Sequence, residues 1–111
     1  MKTIKWKEAQ KQLPERLVTY LWFGTTWCGD CQMMLPIVEN VEKYYVGYPE
    51  VQFIKVDAEE AGLFRQSDSP YQVLRVPTHV FLKQGQIRKI LYEYLPEETL
   101  ITEINYLLKN G

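Results

Sequence analysis

The run Leu17-Val18-Thr19-Tyr20-Leu21-Trp22-Phe23 shows no hydrophobic–polar alternation, being apolar, β-branched or aromatic almost throughout, between Arg16 and Gly24. Such a run predicts a strand buried on both faces, as in a parallel sheet covered by helices. From about Gly29 to Tyr45 the period changes. Met34, Val38, Val41 and Tyr45 recur at helical spacing and predict an amphipathic helix. Pro36 falls inside it and is expected to kink it, because proline removes a backbone donor and crowds the preceding turn. Val51-Gln52-Phe53-Ile54-Lys55-Val56 predicts a second strand, which ends at Asp57-Ala58-Glu59-Glu60. An acidic residue with Glu three positions later predicts a helix N-cap with a capping-box partner, and so a short helix through Phe64. Beyond the polar stretch Gln66–Pro70, Thr78–Leu82 predicts a third strand, Gln84-Gly85 a hairpin turn and Ile87–Tyr94 a fourth strand. Pro96-Glu97-Glu98 opens a last helix with one apolar stripe (Leu100, Ile101, Ile104, Leu107, Leu108), and Gly111 lies just past its end. Upstream, Ile4–Trp6 predicts a short edge strand and Trp6–Leu13 a helix stopped by Pro14. Strand–helix alternation followed by a hairpin predicts an α/β fold, a central mixed sheet flanked by helices on both faces.

Composition narrows the picture. A chain of 111 residues, 46% hydrophobic and 24% charged, fits one domain spanning residues 1–111. It excludes a disordered tail, a collagen-like chain and a disulfide-dense miniprotein. Thirteen Lys and Arg against 14 Asp and Glu give a net charge of −1, with no basic cluster to suit nucleic acid or an anionic membrane. No apolar stretch approaches the roughly 20 residues that span a bilayer. The start, Met1-Lys2-Thr3-Ile4-Lys5-Trp6-Lys7, lacks an apolar signal core, so the expected location is the cytoplasm.

The two cysteines change the picture most. Cys28 and Cys31 stand three apart, too close to staple loops, so they call for a chemical explanation. Trp27-Cys28-Gly29-Asp30-Cys31 sits where the first buried strand ends and the long helix starts. A thiol there meets unpaired backbone N–H groups and the positive end of the helix dipole, which stabilise its thiolate. Cys28 is thus expected to be exposed and nucleophilic. Cys31, one turn inward, is placed to resolve the mixed disulfide that Cys28 forms. Half of a zinc site is the structural alternative. Zinc usually takes four ligands, and His79 is the only further soft or borderline donor, so no metal is expected.

On these residues the sequence resembles the thioredoxin family over nearly its whole length. Trp27-Cys28-Gly29-x-Cys31 follows a strand and opens a helix. Pro36 coincides with the family's helix-kinking proline, and Val76-Pro77-Thr78 is similar to its cis-proline segment. The resemblance implies a thioredoxin fold, with Pro77 beside the cysteine pair and the backbone of Val76 pairing with an extended substrate segment. It implies that Trp27 shields the pair and shapes the groove. Asp30 stands where ordinary thioredoxins carry proline, similar to a related subfamily with narrower substrate choice. The family's buried Asp, a proton relay to the second cysteine, falls here on Trp22, and its lysine neighbour on Phe53. The segment from Asp57 to Pro77 is a few residues longer, the extra residues being expected in Gln66–Tyr71 near the groove. A family glycine at the end of the last strand is replaced by Glu93, which implies a bulkier and more acidic rim.

The expected function is a thiol–disulfide oxidoreductase that mainly reduces protein or small-molecule disulfides. No bound cofactor is expected, since the electrons reside on the Cys28–Cys31 pair and an external thiol or thioredoxin-reductase-type donor renews them. The expected partners are disulfide-containing proteins or small disulfides, met by a monomer. A binding module with vestigial redox activity is the rival, and a disulfide-forming oxidase is disfavoured by Asp30. Among smaller features, the Tyr44, Tyr45 and Tyr48 cluster is read as packing, while one of Met33 and Met34 is expected in the core. His79 has two readings: a buried histidine satisfied by backbone groups, or a replacement relay that takes the proton of Cys31.

Overall fold

The computed structural model describes residues 1–110; Gly111, expected just past the last helix, lies outside the described residues. The elements are α1 (Trp6–Gln12), β1 (Val18–Gly24), α2 (Gly29–Tyr44), β2 (Val51–Asp57), β3 (Thr78–Lys83), β4 (Gln86–Tyr92) and α3 (Glu97–Lys109). The strands form one sheet in the order β2-β1-β3-β4, with β2 parallel to β1 and the other two pairings antiparallel. β1 is paired on both edges and buried at all seven positions, which accounts for its unbroken apolar run.

Strand periodicity sends alternate residues to opposite faces. On one face Tyr20 and Trp22 of β1 and Phe81 of β3 join Met34, Val38 and Val41 of α2 and Leu100 and Ile104 of α3. On the other, Leu21, Phe23, Ile54, Val80 and Leu82 meet Ala9 of α1 and Val73 of the β2–β3 connection. Each fully buried Leu, Ile or Val contributes about 1.5–3 kcal/mol. Pro36 lies inside α2, which continues across it as one element. Gly24 is required by packing, because a Cβ there would overlap the Trp22 ring.

Three expectations are corrected. The helix after Asp57 is a set of turns. Asp57 Oδ1 does accept the N–H groups of Glu59 (2.8 Å) and Glu60 (3.3 Å), but the Glu60 carboxylate accepts the N–H of Trp6 instead of closing a capping box. Gly62 and Arg65 then take φ of 70° and 60°, left-handed values that stop a right-handed helix after one turn. The edge strand at Ile4–Trp6 reduces to one bridge, Thr3 to Lys55, because Trp6 already starts α1. β4 ends at Tyr92, not Tyr94, since Glu93 turns the chain with φ 67°. A residue with a Cβ takes that conformation at a cost of about 1–2 kcal/mol.

His79, fully buried on β3, is the one histidine in the chain. Its Nδ1 lies 2.6 Å from the hydroxyl of Tyr20, and its Nε2 lies 2.8 Å from the carbonyl oxygen of Glu93. A carbonyl only accepts, so Nε2 carries the proton and Nδ1 accepts from Tyr20. Burial lowers the His79 pKa to about 4, partly opposed by the bond to Glu93. Burial likewise holds Tyr20 well above the usual tyrosine value.

A folded-state histidine pKa below the unfolded value of about 6.5 stabilises the fold fully above pH 6.5, and that stability is lost as pH falls toward 4. The whole window is worth about 3 kcal/mol. Urea unfolding of the oxidised protein should therefore show about 1 kcal/mol lost between pH 6 and 5, above the range where carboxylates titrate. In His79→Gln that slope should flatten; an equal slope in both proteins would place its origin elsewhere.

Candidate active site

β1 ends at Gly24, and three residues later Trp27 leads into α2. Cys28 is the N-cap residue of this 16-residue helix, with extended backbone angles, and its Sγ accepts the N–H of Cys31 at 3.0 Å. The helix start suits this sequence because Asp30 lies in the first turn, where an acidic side chain meets the positive end of the dipole, and a Cβ at Gly29 would meet nothing within 4 Å. Cys28 and Cys31 are joined as a disulfide, with Cα atoms 5.2 Å apart. Cys28 is not exposed as expected: only 6% of its surface is accessible, because its sulfur is shared with Cys31 and faces the Val76 carbonyl oxygen at 3.6 Å. Cys31 is buried deeper, at 2%.

The other side of the site comes from 48 residues away in sequence. The Val76–Pro77 peptide bond is cis and leads directly into β3. The N–H of Glu93 donates to the Pro77 carbonyl oxygen at 2.8 Å, and the Glu93 carboxylate lies 3.5 Å from the Arg75 guanidinium. That guanidinium sits over the Tyr92 ring, 4.8 Å from its centroid.

Trp27 is exposed and anchored on its polar edge. Its indole Nε1–H donates to Glu59 at 3.0 Å, and its ring meets Phe64 edge-on at 5.6 Å. Glu59 was not singled out in the sequence; the signal for it is an acidic residue just past the end of β2, the strand that runs parallel to β1. Met33 is exposed and Met34 buried, the division expected of the pair. Tyr45 is buried against Tyr44 and Tyr48, and burial together with these neighbours raises its pKa to about 12.

A partly open cleft of about 250 Å³ lies beside Cys31, bordered by Trp22, Thr25, Gln32, Lys55 and Asp57. Trp22 fills the position that the family resemblance assigns to a buried Asp. Lys55, its register partner on β2, holds its ammonium 5.5 Å from the indole centroid, within cation–π range. Phe53, where the resemblance puts the family's lysine, packs on Tyr20. The Trp22 indole N–H and the Thr25 hydroxyl are buried without a hydrogen-bond partner among the described residues. The longer connection does not end at the groove: Tyr71 packs edge-on against Trp6 and against Phe23, on the α1 side of the sheet. His79 shares the Trp22 face of the sheet, but both its nitrogens are engaged by Tyr20 and Glu93, neither by Cys31. No group of three or more His, Cys, Asp or Glu among the described residues could hold a metal ion.

Comparison with known proteins agrees with this geometry. A family model described as Thioredoxin matches residues 2–106. A thioredoxin of Mycoplasmopsis pulmonis is 40% identical over 111 residues, covering 98% of this chain and all of that one. A Staphylococcus aureus thioredoxin is 31% identical over 78 residues, 70% of each chain. Among solved structures, oxidised mitochondrial thioredoxin 3 of Saccharomyces cerevisiae superimposes with a TM-score of 0.73 at 26% identity, covering 89% of this chain and 87% of that one. A mutant thioredoxin of Halobacterium salinarum shares the fold, with a TM-score of 0.80 at 24% identity over 98% and 90% of the two chains. With a cysteine pair closed into a disulfide at the start of α2, this chain belongs to the thioredoxin family and is a thiol–disulfide oxidoreductase.

Proposed function

We propose that the protein acts mainly as a reductase of disulfides in proteins and small molecules, with Cys28 attacking and Cys31 resolving. The observation that carries the reading is the Cys31 N–H directed at Cys28 Sγ at the N-terminus of α2. In the reduced state that donor and the helix dipole favour a thiolate on Cys28 over one on the more deeply buried Cys31. The Cys28 thiolate attacks a substrate disulfide, forming a mixed disulfide and releasing one substrate thiolate. Cys31 then loses its proton and attacks Cys28 Sγ, closing the Cys28–Cys31 bond and releasing the second substrate thiolate, which takes up a proton. Two electrons pass from the dithiol to the substrate. The cleft beside Cys31 gives its proton a route toward solvent. His79 takes no part in this transfer, since both its ring nitrogens are already engaged.

The groove roles follow from position. Trp27 forms an exposed apolar wall fixed by Glu59, and Gly29 adds no side chain next to Cys28. Val76, whose carbonyl faces Cys28, offers its backbone to an extended substrate segment, and Pro77 holds that segment beside the cysteines. Asp30 places a negative charge in the first turn and tunes the pair toward the reducing side. The electrons are renewed by an external dithiol, of the reductase-type that serves thioredoxins. The working unit is a monomer, because one chain supplies every part of the site. The cytoplasm suits it, as a reducing compartment returns the pair to its dithiol form.

Cys31→Ser should accumulate a mixed disulfide on Cys28 when mixed with a disulfide-bonded protein, detected as a dithiothreitol-sensitive adduct. Limiting iodoacetamide on the reduced natural protein should label Cys28 first, and preferential labelling of Cys31 would reverse the two roles. A carboxylate two residues from the thiol costs its thiolate roughly 1 kcal/mol, or about one pKa unit. Asp30→Asn should therefore lower the Cys28 pKa by about one unit and make the pair less reducing. A rise in pKa, or a more reducing pair, would refute this electrostatic role.

A further inference from the structure

We propose that His79 is a positioning residue for the substrate groove, acting through the backbone of Glu93 on the Arg75–Val76–Pro77 segment. This rests on the reading above, in which the Val76 backbone receives the substrate.

Glu93 holds that segment at two points. Its N–H donates to the Pro77 carbonyl oxygen at 2.8 Å, and its carboxylate pairs with Arg75 at 3.5 Å. Between these two residues lies Val76, whose carbonyl oxygen is 3.6 Å from Cys28 Sγ. Glu93 thus clasps the residues on either side of the one facing the reactive sulfur. Yet Glu93 itself sits at φ 67°, a left-handed conformation that a side chain with a Cβ seldom adopts. Residues persist there when their surroundings over-determine them. The determining contact on the other side of Glu93 is its carbonyl oxygen, which accepts the Nε2–H of His79 at 2.8 Å.

His79 is able to do this because its own orientation is fixed. The ring is fully buried on β3, a strand paired on both edges. The Tyr20 hydroxyl donates to Nδ1 at 2.6 Å, which leaves the proton on Nε2, facing Glu93. A series of directed hydrogen bonds therefore runs from the central strand β1, through β3, to the rim of the cysteine pair. A leucine at position 79 would fill the same space but release the Glu93 carbonyl and leave the Tyr20 hydroxyl without its acceptor. The effect falls on how a peptide docks, and the sulfur chemistry is untouched by it.

The test compares a disulfide-linked peptide pair, which lies along the groove, with a small aromatic disulfide that has no peptide backbone. Both are assayed with dithiothreitol as electron source. In His79→Leu, KM for the peptide should rise about tenfold, the weight of a single hydrogen bond, with kcat within about twofold. Selectivity for peptide over small disulfide should fall by the same factor. His79→Gln, whose amide N–H can reach the Glu93 carbonyl, should recover most of that selectivity. Should His79→Leu fail to fold, Tyr20→Phe carries the test: it removes the second hydrogen bond that holds the imidazole's orientation and should raise the peptide KM in the same direction. An unshifted peptide KM in the folded variants would overturn the assignment. So would a parallel loss on both substrates, which would put His79 in the cysteine chemistry. If the natural protein reduces neither substrate, the reductase reading falls and this inference with it; normal turnover with an unshifted KM removes the role of His79 alone.

Discussion

Strand β1 is hydrogen-bonded on both edges and covered on both faces, so all seven of its residues are buried. The position of every other part of the site is measured from it. Its C-terminal end delivers the chain to Trp27 and Cys28, and its parallel partner β2 delivers Asp57 and Glu59 beside them. Its antiparallel partner β3 begins just after Pro77. Three segments far apart in sequence therefore arrive at one end of the sheet, and Trp27–Glu59 and Cys28–Val76 are contacts between them. A central strand that loosened would displace all three at once.

Burial of this kind constrains chemistry as well as packing. Trp22 lies at a position where a carboxylate would border Cys31, and its ring demands a glycine two residues on, since a Cβ at Gly24 would overlap it. Lys55 stacks on the outer side of the same indole. These residues form a set in which the aromatic ring requires the missing Cβ and gains a modest attraction from the cation. A carboxylate at position 22 would alter the packing of Gly24 and Lys55 as well as the charge beside Cys31.

The polar pair inside the core has the opposite character. Tyr20 and His79 are surrounded by apolar groups, and each satisfies the other. Burying them without partners would cost several kcal/mol. With the Glu93 carbonyl as the third member every donor and acceptor of the ring is used, which fixes both tautomer and orientation. A core of leucines would pack as well without specifying a direction.

The sequence by itself determined the features that depend on neighbours along the chain. The unbroken apolar run of β1, the helical period of α2 and α3, and the strand-to-helix step at Cys28 are local patterns, and each is found where the pattern puts it. So is the cysteine pair, because a separation of three residues at a helix start fixes its geometry without help from the rest of the fold. Tertiary structure decided what the patterns left open. Asp57 and Glu60 carry the letters of a capping box, but Glu60 turned to the N–H of Trp6, a residue 54 positions away that no local reading includes. Glu59 became the anchor of Trp27 and Lys55 the partner of Trp22 through contacts between segments brought together by the sheet, and Cys28 lost its exposure to the Val76 carbonyl as well as to its bond with Cys31. His79 was legible as a buried residue; its partners were not, because hydrogen bonds to Tyr20 and to a backbone carbonyl leave no trace in residue spacing. Periodicity records which face a residue occupies, and only the folded chain settles which polar group waits there.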